Sequence, residues 1–98
     1  MRVRILDPAE RDLEEGYFFY ERQFPGLGTY FLDSLYSDID SLSYFGGIHR
    51  IVFGHHRLLS KRFPFAVYYQ MDDDVILVTS VLDCRRSPSW IRERLMKG

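Results

Sequence analysis

The hydrophobic period of the chain changes once, at Gly46-Gly47, and that change limits the fold more than any other feature. Before it, apolar residues recur at three- and four-residue intervals: Leu13, Tyr17 and Tyr20, then Phe31, Leu35, Ile39 and Leu42. Those are two amphipathic helical stripes. After it come short runs rich in Val, Ile, Phe and Tyr at 50–53, 57–63, 65–71 and 75–82, separated by Gly54, Pro64 and Asp72-Asp73-Asp74. These are the composition and punctuation of strands. Pro64 is expected to mark a bulge or an edge.

The ends of the elements carry their own signals. Val3 to Leu6 suits a short strand. Asp7-Pro8-Ala9-Glu10 reads as a helix start with Asp7 as N-cap, Pro8 in the first turn and Glu10 reaching back. The first helix is expected over about 8–23, with Gly16 weakening its middle. The break at 24–28 is short, so the second helix, running to Gly46, should fold back antiparallel to the first. Ser87-Pro88 repeats the start signal ahead of a short terminal helix at 90–96. The expected fold is α+β: an N-terminal strand, an antiparallel two-helix hairpin packed on an antiparallel sheet of three or four strands, and a short C-terminal helix.

At 98 residues there is room for one core, and the reading is a single domain over 1–98. Cys84 is the only cysteine, so packing rather than a disulfide or a cysteine-rich metal site must supply stability. No apolar run approaches the roughly 20 residues that cross a bilayer, and residues 1–5 lack a signal-peptide pattern. A soluble, cytoplasmic protein with no membrane contact is expected.

Charge is segregated. Residues 1–47 hold four basic and nine acidic side chains, and residues 48–98 hold nine basic and five acidic. From His49 to Arg62 there are three histidines and the cations Arg50, Arg57, Lys61 and Arg62, with no acid. That stretch suits a phosphate-facing surface, or equally a sheet edge protected by charge. The adjacent acids 72–74 read as a turn, because a nuclease metal site needs carboxylates converging from separate elements. No metal and no cofactor are expected.

Several strings, in this order, resemble the RelE/ParE superfamily, the toxin halves of bacterial type II toxin–antitoxin pairs, also described as plasmid stabilisation proteins. They are Ala9-Glu10-Arg11-Asp12-Leu13, the run 20–28 (YERQFPGLG), Phe31-Leu32, the run 57–69 (RLLSKRFPFAVYY) and the run 81–88 (VLDCRRSP). The resemblance spans nearly the whole chain. It departs at the close, where Asp83, Cys84 and Ser87 stand in place of the family's usual histidine, glycine and acid.

The RelE-like branch implies metal-independent cleavage of ribosome-bound mRNA, which needs cations around the phosphorane and an acid–base pair. The candidates for catalysis are Arg57, Lys61 and Arg86. Alternation along one strand would place Arg57 and Lys61 on the same face about 13 Å apart. Arg50, Arg62, Arg85 and Trp90 are the candidates for binding RNA or another target. Trp90, Ile91 and Arg92 occupy the place of the family's usual tyrosine, and an indole stacks but cannot act as an acid. His49, His55 or His56 are the alternatives for that role. The ParE-like branch implies a non-catalytic protein that binds DNA gyrase. A third reading is an inactive relative whose role is antitoxin binding or dimerisation. Phe18, Phe19, Tyr30, Tyr36, Tyr44 and Phe45 lie partly off the helical stripes, and as a set they point to a protein partner: a cognate antitoxin, with a homodimer left open.

Overall fold

The computed structural model describes residues 1–97. Its elements are β1 (Arg2–Ile5), α1 (Asp7–Glu21), α2 (Leu27–Asp40), α3 (Leu42–Phe45), β2 (Ile51–Val52), β3 (His55–Leu59), β4 (Phe65–Asp72), β5 (Val75–Asp83) and α4 (Pro88–Lys97). The sheet has five strands in the order β1-β5-β4-β3-β2. It is mixed: β1 runs parallel to β5, from Arg2 opposite Val75 to Ile5 opposite Val78, and the other pairs are antiparallel. The count exceeds the expected three or four because β1 joins the sheet.

The α-to-β order and the hairpin stand as read from the stripes. Phe31, Leu35, Ile39 and Leu42 all sit in the core, with Ala9, Leu13 and Tyr20 from α1. Against them pack Phe65, Val67 and Tyr69 of β4 and Ile76, Val78 and Val81 of β5. The opposite face of the sheet holds a second, smaller core, where Ala66, Tyr68 and Leu82 meet Ile91 and Leu95 of α4, with Trp90 at its edge. The terminal helix therefore covers a sheet face of its own.

Several local expectations are corrected. Leu6, not Asp7, is the N-cap of α1 and no side chain caps it. Asp7 lies in the first turn, where its charge still complements the helix dipole. The second helical stretch divides at Ser41 into α2 and α3. Gly16 is buried because an added Cβ would lie 2.5 Å from the Phe31 ring, so its role is close helix packing. The strand led by Arg57 stops at Leu59, leaving Ser60 to Pro64 as a loop. The bulge lies elsewhere, in β5 at Thr79, where pairing steps from Tyr68–Ser80 to Tyr69–Val78. Phe53 and Gly54 both have positive φ (49° and 79°), which makes the two-residue turn between β2 and β3.

Candidate functional site

The end of β5 and the start of α4 concentrate the candidate side chains. β1 pairs with β5 only as far as Val78, because the chain then turns into α1. The Val81 N–H would lose its partner there. Asp12, buried on α1, supplies one: its Oδ2 accepts from Val81 N at 3.0 Å. Both carboxylate oxygens of Asp12 also accept from Arg94 Nη2, at 2.9 and 2.8 Å. One carboxylate thus ties α1, β5 and α4 together, a role that no period or composition signal marks.

Beside this tie is a groove of about 250 Å³ whose lining includes Gly16, Phe19, Asp83, Arg86, Trp90 and Arg94. The Arg86 guanidinium lies 4.4 Å from the centre of the Trp90 ring, a cation–π contact that holds both on the rim. Arg86 has no carboxylate partner among the described residues. Arg85 differs: it is paired bidentately with Asp83, Nε at 2.9 Å and Nη2 at 2.8 Å. That contact raises the Arg85 pKa further and holds the Asp83 carboxyl below its usual range, with the Arg85 hydrogen bond the larger cause.

Arg57 comes from a different element, β3. It stands opposite Tyr68 across the β3–β4 ladder, on the face that α4 covers. Its guanidinium lies near the Tyr68 hydroxyl and the Cys84 thiol. Burial raises the Tyr68 pKa, with Cys84 adding to the rise and Arg57 offsetting it, so the phenol keeps its proton at neutral pH. Partial desolvation likewise pushes up the thiol of Cys84, although the residue is exposed, which makes it a poor nucleophile. Tyr68 is a donor that sequence reasoning missed; the register placing it opposite Arg57 is the signal that finds it.

Lys61 and Arg62 lie exposed in the loop after β3. The expectation that Lys61 shares a strand face with Arg57 is therefore corrected: Leu59 ends the ladder two residues earlier, and alternation no longer governs where Lys61 points. Arg50 is exposed ahead of β2, its carbonyl accepting from the Arg57 N–H at 2.9 Å. The histidines divide. His55 lies on the α4 side, near Gln70 at 3.4 Å, whereas His49 and His56 gather around Tyr69 on the opposite face. The described residues contain no group of three or more His, Cys, Asp or Glu side chains arranged to hold a metal ion.

No family model matches the chain, and no curated protein does. Among solved structures, a chain from the chromosomal ParDE TA system of P. aeruginosa matches it with a TM-score of 0.74. The match covers 83% of this chain and 92% of that chain, at 20% sequence identity. The fold is ParE-like. At that identity the likeness speaks for architecture alone, and the ParE-like frame accounts for what is seen: a helical hairpin on one sheet face and a C-terminal helix on the other. The hairpin's outer side carries the exposed rings of Phe18 and Tyr36, whereas the exposed rings of Phe19 and Tyr30 lie at the Arg86–Trp90 groove and against Phe63. No helix among the described residues is long and apolar enough to cross a membrane.

Proposed function

We propose that this chain is the toxin half of a type II toxin–antitoxin pair, held by an antitoxin protein in the cytoplasm and acting by binding its target, DNA gyrase, rather than by cutting RNA. The ParE-like fold supports the toxin assignment. The observation that carries the mechanism is that the basic candidates are engaged with different partners rather than with one common acid–base pair. Arg57 sits with Tyr68 on the α4 side of the sheet, Arg86 is stacked on Trp90 at the groove, Arg85 is neutralised by Asp83, and Lys61 and Arg62 ride on a loop. Phosphodiester cleavage needs cations and an acid–base pair converging on one phosphate. A binding surface has no such requirement, and the Trp90–Arg86 rim has the residue types that dominate protein interfaces.

The antitoxin contact is placed on the hairpin. A groove of about 450 Å³ runs along its outer side, lined by Glu10, Leu13, Tyr17, Phe18, Leu32 and Tyr36 among others. An amphipathic helix bearing basic residues would bury those rings and meet Glu10 and Glu14.

A second reading has one observation in its favour. Tyr68, protonated and near Arg57, is a donor beside a cation, the pair that a metal-independent ribonuclease would use for the leaving oxygen and the phosphate. Primer-extension mapping of a translated reporter transcript after brief induction separates the two. Growth arrest with intact transcripts is the expected result; new cuts within codons that vanish in Arg57→Ala would replace gyrase binding with RNA cleavage. Normal growth with intact transcripts would leave an inactive relative that only binds an antitoxin.

A further inference from the structure

The connector between α3 and β2, residues 46–50, is fastened to the sheet by one hydroxyl. Tyr69 Oη, at the end of a fully buried ring, accepts from the Gly47 N–H at 2.9 Å. It also lies 2.6 Å from His49 Nδ1. With Gly47 donating to the hydroxyl, His49 Nδ1 is the acceptor in reach of the hydroxyl's own proton, and that bond needs the nitrogen unprotonated. His56 completes the group. Its ring stacks on Tyr69 at 4.9 Å and 16°, and its Nδ1 donates to the His49 carbonyl at 2.7 Å. A carbonyl only accepts, so His56 carries its proton on Nδ1 and can take a second on Nε2 without losing a bond.

The two histidines are therefore unequal. Protonating His56 costs no hydrogen bond, whereas protonating His49 turns its Nδ1 into a donor facing the Tyr69 proton. The connector contributes His49 and neighbouring Arg50, β3 contributes His56 and neighbouring Arg57, β4 contributes neutral Tyr69, and neither imidazole has a carboxylate partner among the described residues. Burial, with the neighbouring His56, holds the His49 pKa below its ordinary value.

We propose that Tyr69, His49 and His56 form a proton-operated clasp, closed at neutral pH and opened by acid, which sets the position of the connector. What moves with it is an apolar surface. Ile48 lies in the connector and Phe45 and Ile51 flank it, exposed by 73%, 56% and 62%, beside β2, the outermost strand of the sheet. A partner that binds this surface at neutral pH would lose a defined surface on acidification. The device does not depend on the toxin assignment.

The test is NMR on the full chain from pH 8 to pH 5, following both imidazoles and the exchange protection of the Gly47 amide, with the Val67 amide in β4 as reference. The linkage sign is set by a lowered folded pKa: the clasp is complete above about 6.5, the midpoint of a free histidine, and weakens below it. Protection of Gly47 should fall by up to about tenfold per pH unit until the clasped His49 midpoint is reached. His49 should titrate below the free-histidine midpoint of about 6.5. Tyr69→Phe keeps the ring, and should raise the His49 midpoint and remove Gly47 protection at every pH. His49→Gln, which removes the titrating ring and leaves the Tyr69 side chain in place, should make Gly47 protection independent of pH. A His49 midpoint at or above about 6.5 would overturn the proposal. So would constant Gly47 protection in the wild type, or an unchanged acid loss in His49→Gln.

Discussion

Replacing Asp12 by alanine should loosen the tie of the terminal helix to α1 and β5, and the cost can be worked from the contacts. The carboxylate accepts from the Val81 N–H at 3.0 Å and from Arg94 Nη2 at 2.9 and 2.8 Å. In Asp12→Ala the Val81 N–H is left buried without a partner, which costs about 1–3 kcal/mol. The Arg94 side chain is 31% exposed, so water replaces much of its lost bond and the pair adds only about 1 kcal/mol. The sum is about 2–4 kcal/mol, a large share of the stability of so small a domain. Asp12→Asn should lose less, about 1–2 kcal/mol, because its amide oxygen still accepts from Val81. Urea unfolding followed by far-UV circular dichroism measures both, and fluorescence of Trp90, the only tryptophan, reports α4 directly. A loss below about 1 kcal/mol in Asp12→Ala, with Trp90 emission unchanged, would refute the tie between α1, β5 and α4.

Other outcomes follow from the same kind of contact. Gly16→Ala should destabilise despite its better helix propensity, because about 1–3 kcal/mol of overpacking against Phe31 outweighs a gain of at most about 1 kcal/mol; thermal melting decides the sign. Glu21→Ala should lose about 1 kcal/mol, since its carboxylate accepts from the Gly26 and Gly28 N–H groups at 3.1 and 3.0 Å and stands in for the missing cap of α2; urea titration measures it. Asp83, with its pKa lowered by Arg85, contributes stability that is present above the ordinary carboxylate range and lost as pH falls through its lower folded value. Asp83→Asn should therefore flatten the acid limb of a stability–pH curve by less than about 1 kcal/mol, the pair being partly exposed. Removing α4 altogether is a poor test of target binding, because it uncovers Tyr68 and Leu82; Trp90→Ala and Arg86→Ala leave Ile91 and Leu95 in place.

The helical layer was legible because its core is local. Phe31, Leu35, Ile39 and Leu42 announce a buried stripe by spacing alone, and all of them are buried. The exposed aromatics of the hairpin were legible for the converse reason: they fall off the stripe. What stayed hidden depends on pairings between distant residues. The parallel partnership of Arg2 with Val75 has no local signature, so the sheet read one strand short. Asp12 has no local signal for its role, since its partners, Val81 and Arg94, are 69 and 82 residues away. Strand alternation reaches Lys61 only if the run 57–63 is one strand, whereas the ladder ends at Leu59 and the irregularity falls at Thr79. Tyr68 and Tyr69 are adjacent yet serve opposite faces, one near Arg57 and the other with His49 and His56. Only the register separates them.

The central claim is that this chain arrests growth by holding gyrase on DNA. Its most direct test incubates purified chain with gyrase, ATP and supercoiled plasmid, then denatures the protein and looks for linear DNA. Accumulation of linear plasmid with the wild type, and its loss in Trp90→Ala or Arg86→Ala variants that still fold, is the predicted result. No linear plasmid at any ratio of chain to gyrase, while the same preparation arrests growth in cells, would contradict it.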